Sequence, residues 1–255
     1  MSLNLLAISV GNTRTRIGTF TQGSLDEDVA LDNAKYSSIT DKIHEAYEAI
    51  LKYEEPAVML AAVNPALAER LENYITTELS PQRFMRVERD IQVPIGRQLD
   101  PEAMVGEDRL LNAAGAFDVL QQACVIVDAG TAITIDFVDG AGTFHGGAIA
   151  PGAAMMLKAL HQHTAQLPEV TVAKPIEAVG HNTIEAMRSG MYHGLRGMVK
   201  ELVEQFAESA GTYPMIVATG GDADLLFEGD ELIDRIAPHL TLFGMVVTLK
   251  KANEE

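Results

Sequence analysis

Val-Ile-Val-Asp-Ala-Gly-Thr-Ala-Ile-Thr-Ile-Asp-Phe-Val-Asp, residues Val125–Asp139, is the stretch on which the reading of the chain turns. A β-branched run reaches Asp128, Gly130 permits a tight reversal, and Ile133, Ile135, Phe137 and Val138 resume an extended, partly alternating pattern. The pattern predicts a β-hairpin with a carboxylate and a Gly-Thr pair at its bend. Backbone amides and the Thr131 hydroxyl at such a bend can hold a phosphate oxygen, and Asp128 can hold the cation that travels with it. Taken alone, the same residues also suit an ordinary turn.

The layout occurs twice. Leu5 to Ile17 runs apolar strand, small polar residue, glycine, amide and hydroxyl residues, second strand. Aligned on Gly11 and Gly130, Ile8 matches Val127, Ser9 matches Asp128 and Asn12 matches Thr131. A repeat of this size predicts two similar halves, 1–118 and 119–255, each opening with a glycine hairpin. Two such hairpins facing one another across a cleft would grip the two ends of a polyphosphate.

Composition narrows the function classes. With 255 residues, 47% of them hydrophobic, the chain can bury a substantial core in one domain or two small ones. No run is long and apolar enough to cross a bilayer, and the N-terminus lacks a basic start followed by an apolar segment, so a soluble cytosolic protein without a membrane partner is expected. The single Cys124, at the head of an apolar run, is expected to pack in a core. The net charge of −17 and the lack of a basic cluster argue against a nucleic-acid partner. A protein this acidic that handles a nucleotide needs divalent cations and a few well-placed arginines to offset repulsion.

Along the chain, the first strand pair is expected over Leu5–Phe20, with Gln22-Gly23-Ser24 as turn material and a polar stretch to about Ser38. A helix is predicted from Thr40 as N-cap. Ala57–Val63 reads as a buried strand, and Asn64-Pro65 as a cap and first helical position. Leu110–Phe117 is rich in small residues at helical spacing, which predicts a helix packed closely on a neighbour. Asp108 and Arg109 then fall in its first turn, where anionic ligands are favoured. Phe144–Gly152, with its glycines and proline, reads as a loop whose backbone approaches something closely.

Asn182-Thr183-Ile184-Glu185 marks the start of a long helix that stops at Gly211. Gly190, Gly194 and Gly197 interrupt it, each costing about 1 kcal/mol of propensity relative to alanine, so a close contact such as a helix paired across a two-fold axis is expected to compensate. Met215–Ala218 is the last buried strand and runs into Thr219-Gly220-Gly221-Asp222, a common approach to a nucleotide. His161 and His163 lack a third metal ligand and are expected to be solvated or structural.

Five features stand in order: the first hairpin, Gly106-Glu107-Asp108-Arg109, the second hairpin, Gly146-Gly147 and Thr219-Gly220-Gly221-Asp222. Together they resemble type III pantothenate kinases, of the superfamily of acetate and sugar kinases, Hsp70 and actin. The matching segments are Gly11-Asn12-Thr13 with Arg16, Gly106-x-Asp108-Arg109, Asp128-x-Gly130-Thr131-Ala132, Phe144-x-Gly146-Gly147 with Pro151-Gly152, Asn182-Thr183 and Thr219-Gly220-Gly221-Asp222.

The resemblance implies an α/β fold of two ribonuclease-H-like (actin-like) halves around a nucleotide cleft, and ATP-dependent phosphorylation of pantothenate, the first step toward coenzyme A. It implies Asp108 as general base, Arg109 on the pantothenate carboxylate and Gly106 beside the substrate, with Thr183 reaching in from the partner of a homodimer. Ser9, Gly11, Asn12, Thr13, Arg16, Gly130, Thr131, Gly220 and Gly221 would serve ATP and its phosphates. Asp128 would hold a monovalent cation, K⁺ or NH₄⁺, with Mg²⁺ accompanying ATP.

Two positions depart from the family pattern. The family carries an aspartate where this chain has Ser9, and a hydroxyl brings no negative charge to Mg²⁺ or its water shell. The family also has a tyrosine shortly before the Gly-x-Asp-Arg segment, where Gln98-Leu99-Asp100 offers no aromatic ring. Ser9 favours one alternative, a catalytically impaired relative acting as a ligand-binding or regulatory protein; a kinase of another small hydroxy acid is a further one.

Overall fold

The computed structural model describes residues 3–254. In chain order the elements begin β1 (Leu5–Val10), β2 (Arg14–Thr21), β3 (Ser24–Asp32), α1 (Tyr36–Ile50), β4 (Ala57–Ala62) and α2 (Pro65–Tyr74). Next come β5 (Phe84–Arg86), β6 (Gly96–Arg97), α3 (Glu107–Leu120), β7 (Cys124–Ala129), β8 (Ala132–Val138) and β9 (Thr143–Pro151). The chain closes with α4 (Ala153–Gln162), α5 (Thr183–Ala210), β10 (Met215–Thr219), α6 (Ala223–Phe227), β11 (Arg235–Ile236) and α7 (Leu240–Ala252). Two compact units result: one takes the chain up to Ile95, Pro101–Asp118 and the stretch from Leu240, the other Gly96–Asp100 and Val119–His239.

Both units are α/β and share one order over five strands, the second sheet adding β6 parallel to β9. The first sheet runs β3-β2-β1-β4-β5, an antiparallel meander joined through β1 to parallel β4 and β5. The second runs β11-β10-β7-β8-β9-β6, with β9-β8-β7 as the meander and β10 and β11 as the parallel strands. β1 and β7 are central in their sheets, which explains why their sequences are apolar almost throughout rather than alternating. Leu6, Ile8 and Val10 pack with Ile39 and Ile43 of α1 and Leu67 and Leu71 of α2. Val125 and Val127 pack with Met191, Leu195, Val199 and Val203 of α5.

Many expected details hold. The Asn64 side chain accepts the Leu67 N–H at 3.2 Å with Pro65 at the first helical position. Asn182 caps α5 through the Glu185 N–H at 2.9 Å, and Gly211 ends that helix at φ +65°. Cys124 is buried, and burial pushes its thiol up to about 12. Among the described residues no helix is long and apolar enough to cross a membrane.

Three expectations need correcting. The polar stretch after Gly23 is the edge strand β3; with three acids facing outward it carries little of the apolar alternation that marks a strand, a pattern suited to a sheet edge. Thr40 is not an N-cap: α1 begins at Tyr36, and the buried Thr40 hydroxyl donates to the Ser37 carbonyl one turn back. Phe144–Gly152 is largely strand β9, not loop. Its close approach is real, since a Cβ on Gly147 would lie 1.9 Å from the Ile135 carbonyl oxygen across the sheet, and the register shifts between Asp136 and Val138.

The small residues of α3 meet α7. A Cβ on Gly115 would sit 3.0 Å from the Leu240 carbonyl, and one on Gly244 only 2.1 Å from the Leu111 carbonyl. Backbone therefore crosses backbone, and no side chain can turn aside to admit a methyl group. Gly244→Ala is expected to destabilise the protein by about 1–3 kcal/mol, the usual range for overpacking, read as a lower urea midpoint at unchanged slope.

Candidate active site

In the first unit the β1–β2 bend is closed by the Gly11 N–H donating to the Arg14 carbonyl at 2.9 Å. Asn33, just after β3, braces it: its amide donates to the carbonyls of Gly11 at 2.8 Å and Asn12 at 3.1 Å, and its own N–H donates to the Thr13 carbonyl at 2.9 Å. Asn12 and Thr13 are exposed at the tip. Ser9 stands directly across the hairpin from Arg16, and the Arg16 guanidinium lies 3.6 Å from the Asp28 carboxylate on β3. Asn33 escaped the sequence reading because an asparagine after an acidic strand signals a turn without naming what it clamps.

The start of α3 belongs to the same unit. The Asp108 carboxylate accepts the Arg109 N–H at 2.8 Å, and the Gly106 carbonyl accepts the same N–H at 3.1 Å. A Cβ on Gly106 would fall 2.5 Å from Asp108 Oδ1 and 3.4 Å from Val63. Glycine is what leaves room for the carboxylate there. Burial pushes the Asp108 carboxyl above the usual carboxylate range, with the Arg109 amide and guanidinium pulling the other way. A carboxylate so placed is a stronger base than a solvated one. Glu107 reaches back to accept the Ala62 N–H at 2.7 Å, joining α3 to the end of β4, which pairs with β1.

In the second unit Asp128 is next to last in β7, between Thr134 on β8 and Thr219 on β10. The Gly130 N–H closes the bend onto the Ala132 carbonyl at 3.0 Å, and the Gly152 N–H donates to the Thr131 carbonyl at 3.1 Å. Gly220 takes φ +95°, and a Cβ there would lie 2.3 Å from the Ala129 carbonyl and 2.5 Å from Asp128 Oδ1. Asp128, Gly130, Thr131, Gly220 and Gly221 are thus gathered around the ends of β7 and β10. Thr183 belongs to another element, as the exposed first residue of α5. Among the described residues no group of three histidine, cysteine or carboxylate side chains could hold a metal ion.

A family model described as type III pantothenate kinase matches residues 5–205. The chain belongs to the type III pantothenate kinase family. Relatives carrying that name include one from Dehalococcoides mccartyi, 34% identical over 255 residues and 96% of each chain. Another, from Akkermansia muciniphila, is 36% identical over 245 residues, 95% of this chain and 97% of its own. Solved structures similar to this kinase-family chain include MreB5 of Spiroplasma citri bound to ADP, with TM-score 0.54, 12% identity and coverage of 100% and 99%. Component A of the Acidaminococcus fermentans (R)-2-hydroxyglutaryl-CoA dehydratase gives TM-score 0.56 at 14% identity, covering 99% and 100%. At these identities the likeness carries the fold alone, and that fold is the actin-like α/β class.

The two glycines after β10 differ sharply within this family fold. Gly220 has a left-handed φ and backbone against its Cβ position, whereas nothing lies within 4 Å of a Cβ on Gly221. Gly220→Ala is therefore expected to lower the melting midpoint by several degrees, at roughly 2–4 °C per kcal/mol for a chain of this size. Gly221→Ala is expected to leave it within about a degree; equal losses in the two variants would contradict the geometry.

Proposed function

We propose that this chain transfers the γ-phosphoryl group of ATP to the hydroxyl of pantothenate, the opening step of coenzyme A synthesis. The observation that carries the reading is Asp108: a largely buried carboxylate at the start of α3, raised in basicity and followed directly by Arg109, in a chain of this family. Asp108 takes the proton from the attacking hydroxyl, and Arg109 holds the pantothenate carboxylate, for which a planar guanidinium is suited. Gly106 lets the substrate's surroundings close on Asp108. Ser9, Gly11, Asn12, Thr13 and Arg16 of the first hairpin serve the nucleotide phosphates, as do Gly130, Thr131, Gly220 and Gly221 of the second unit. Positioning and charge neutralisation are most of what phosphoryl transfer asks of a protein.

The residues fit the cations such a reaction needs. Mg²⁺ accompanies nucleotide phosphates through one or two carboxylates and several waters, so a cluster of three protein ligands is not required. Asp128 is the carboxylate assigned to a monovalent cation, K⁺ or NH₄⁺. In support, its cross-strand neighbour Thr134 has a buried hydroxyl without a hydrogen-bond partner, an oxygen that a cation or its water can satisfy. Cytoplasmic location belongs to the same proposal.

A homodimer completes it. On α5, Thr183, Gly190, Gly194 and Gly197 fall on one stripe, all exposed, and a Cβ on any of the three glycines would meet nothing within 4 Å. Helix glycines that make no close contact within their own chain fit closely packed partner backbone. A partner on this stripe lies beside Thr183, which supports Thr183 touching the pantothenate of the other subunit. Ser9 favours one rival, a family member that binds pantothenate without turning it over.

A coupled ADP-release assay with pantothenate, ATP, Mg²⁺ and K⁺ tests the reading. The parent is expected to turn over, Asp108→Asn to lose at least about 100-fold in kcat, and sodium-only buffer to slow the parent. The acidic limb of the parent's pH–rate profile is expected above an ordinary aspartate's ~3.9, because burial favours the protonated carboxyl and the base must be ionised to act. Pantothenate binding without turnover in both the parent and Ser9→Asp would leave the binding role instead.

Subunit mixing tests the shared site separately. Thr183→Ala and Asp108→Asn subunits, each inactive alone, are expected to recover up to about a quarter of parental activity when mixed, since half the dimers are hybrids and each hybrid has one intact site. Recovery absent despite hybrid formation would confine each site to one chain.

A further inference from the structure

Glu107 lies outside every role assigned above, yet the sheet depends on it. β4 pairs with β5 through the Val58 N–H to the Arg83 carbonyl and the Val87 N–H to the Leu60 carbonyl. Continuing that parallel ladder, the next amide on the same side is that of Ala62. It has no strand to meet, because β5 ends at Arg86 and the chain turns away, with Glu88 at φ +61° and the amides of Asp90 and Ile91 folding back onto the Arg86 carbonyl. The Glu107 carboxylate accepts that N–H at 2.7 Å from 45 residues away. On the other edge of β4 the Val63 N–H donates to the Val10 carbonyl at 3.0 Å, so the end of β4 is held on both sides.

The Glu107 carboxyl is half-buried, and burial is the main influence raising it, with the Ala62 hydrogen bond and Arg86 opposing and Glu88 and Asp108 adding to the rise. A half-buried carboxylate held on a backbone amide gives up part of its hydration, a cost that its tie to β4 offsets. Glu107 is also the first residue of α3, immediately before Asp108, in a turn where Gly106 allows no side chain. A rigid tie at this residue fixes the direction in which the next side chain leaves the helix.

We propose that Glu107 is a positioning residue for Asp108, pinning the first turn of α3 to the end of β4 through the Ala62 amide. The inference rests on the reading of Asp108 as general base. Glu107 touches neither substrate nor nucleotide; it fixes where the base stands, and a misplacement of about 1 Å can cost on the order of 100-fold in rate.

The test uses Glu107→Ala and Glu107→Gln in the full chain, with steady-state kinetics and amide hydrogen exchange. Glu107→Ala is expected to lower kcat by about 10- to 100-fold while KM for ATP stays within about twofold. Glu107→Gln is expected to restore most of kcat, since its amide oxygen still accepts the Ala62 N–H. Exchange at Ala62 and in the first turn of α3 is expected to quicken in the alanine variant alone. Should Glu107→Ala fail to fold, Glu107→Asp, one methylene short of the amide, is expected to show the same loss. Retention of kcat within twofold in Glu107→Ala, or a glutamine variant as impaired as the alanine one, overturns the proposal. If the parent does not phosphorylate pantothenate, the functional reading falls while exchange still decides the anchor: unchanged exchange in Glu107→Ala overturns it.

Discussion

Each unit depends on one strand held between an antiparallel and a parallel neighbour: β1 between β2 and β4, β7 between β8 and β10. A central strand is buried on both faces and hydrogen-bonded on both edges, so its only free end is where it leaves the sheet. In sheets with parallel strands ligands gather at the carboxyl ends. Ser9, Gly11, Ala62 and the first turn of α3 stand at that edge of the first sheet, and Asp128, Gly130, Thr219 and Gly220 at that edge of the second. The candidate site residues follow from this placement. Residues far apart in the chain are carried to one sheet edge because the parallel pairing leaves them no other.

Glycine then decides how closely backbone can gather there. Gly11, Gly106, Gly152 and Gly220 each stand where a Cβ would fall under 3 Å from another atom, and in three of the four that atom is backbone. The two hairpins are nonetheless not copies. Val10 pairs with Thr15 across four intervening residues, whereas Ala129 pairs with Ile133 across three. The second bend is one residue tighter, so partners beyond it are offset by one. Ser9 thereby faces a charged residue, Arg16, while Asp128 faces a neutral one, Thr134.

Much of this was legible in the sequence because it rests on local chemistry. Apolar β-branched runs ending at a glycine marked both hairpins, Asn64-Pro65 and Asn182 marked helix starts, and Gly211 a helix end. Small residues in Leu110–Phe117 announced a close neighbour without saying that it would be α7, because a glycine reports only that something is near. β3 and β9 were harder to see. The first is an edge strand whose outward acids mask alternation, and the second carries glycines that the sheet needs for close crossing but that read locally as a loop. The Asn33 clamp and the Glu107 tie were invisible for a single reason: each satisfies backbone groups more than 20 residues away, and nothing in the neighbouring sequence records which groups a fold will orphan.

The charge at position 9 follows from the same geometry. Cross-strand partners share a face and stand about 5 Å apart at Cβ, and Asp28 pairs with Gly18, two residues along β2 from Arg16, hence on that face too. Ser9, Arg16 and Asp28 therefore form a row in which one guanidinium lies between a hydroxyl and a carboxylate, with Arg16 and Asp28 only partly exposed. An aspartate at position 9 would place a second carboxylate against a guanidinium that already has one. In a chain of net charge −17 a further carboxylate adds repulsion toward any anionic ligand unless a cation joins it. The gain from a carboxylate at position 9 thus depends on how much of its charge reaches a metal and how much Arg16 absorbs. Serine avoids adding that second carboxylate.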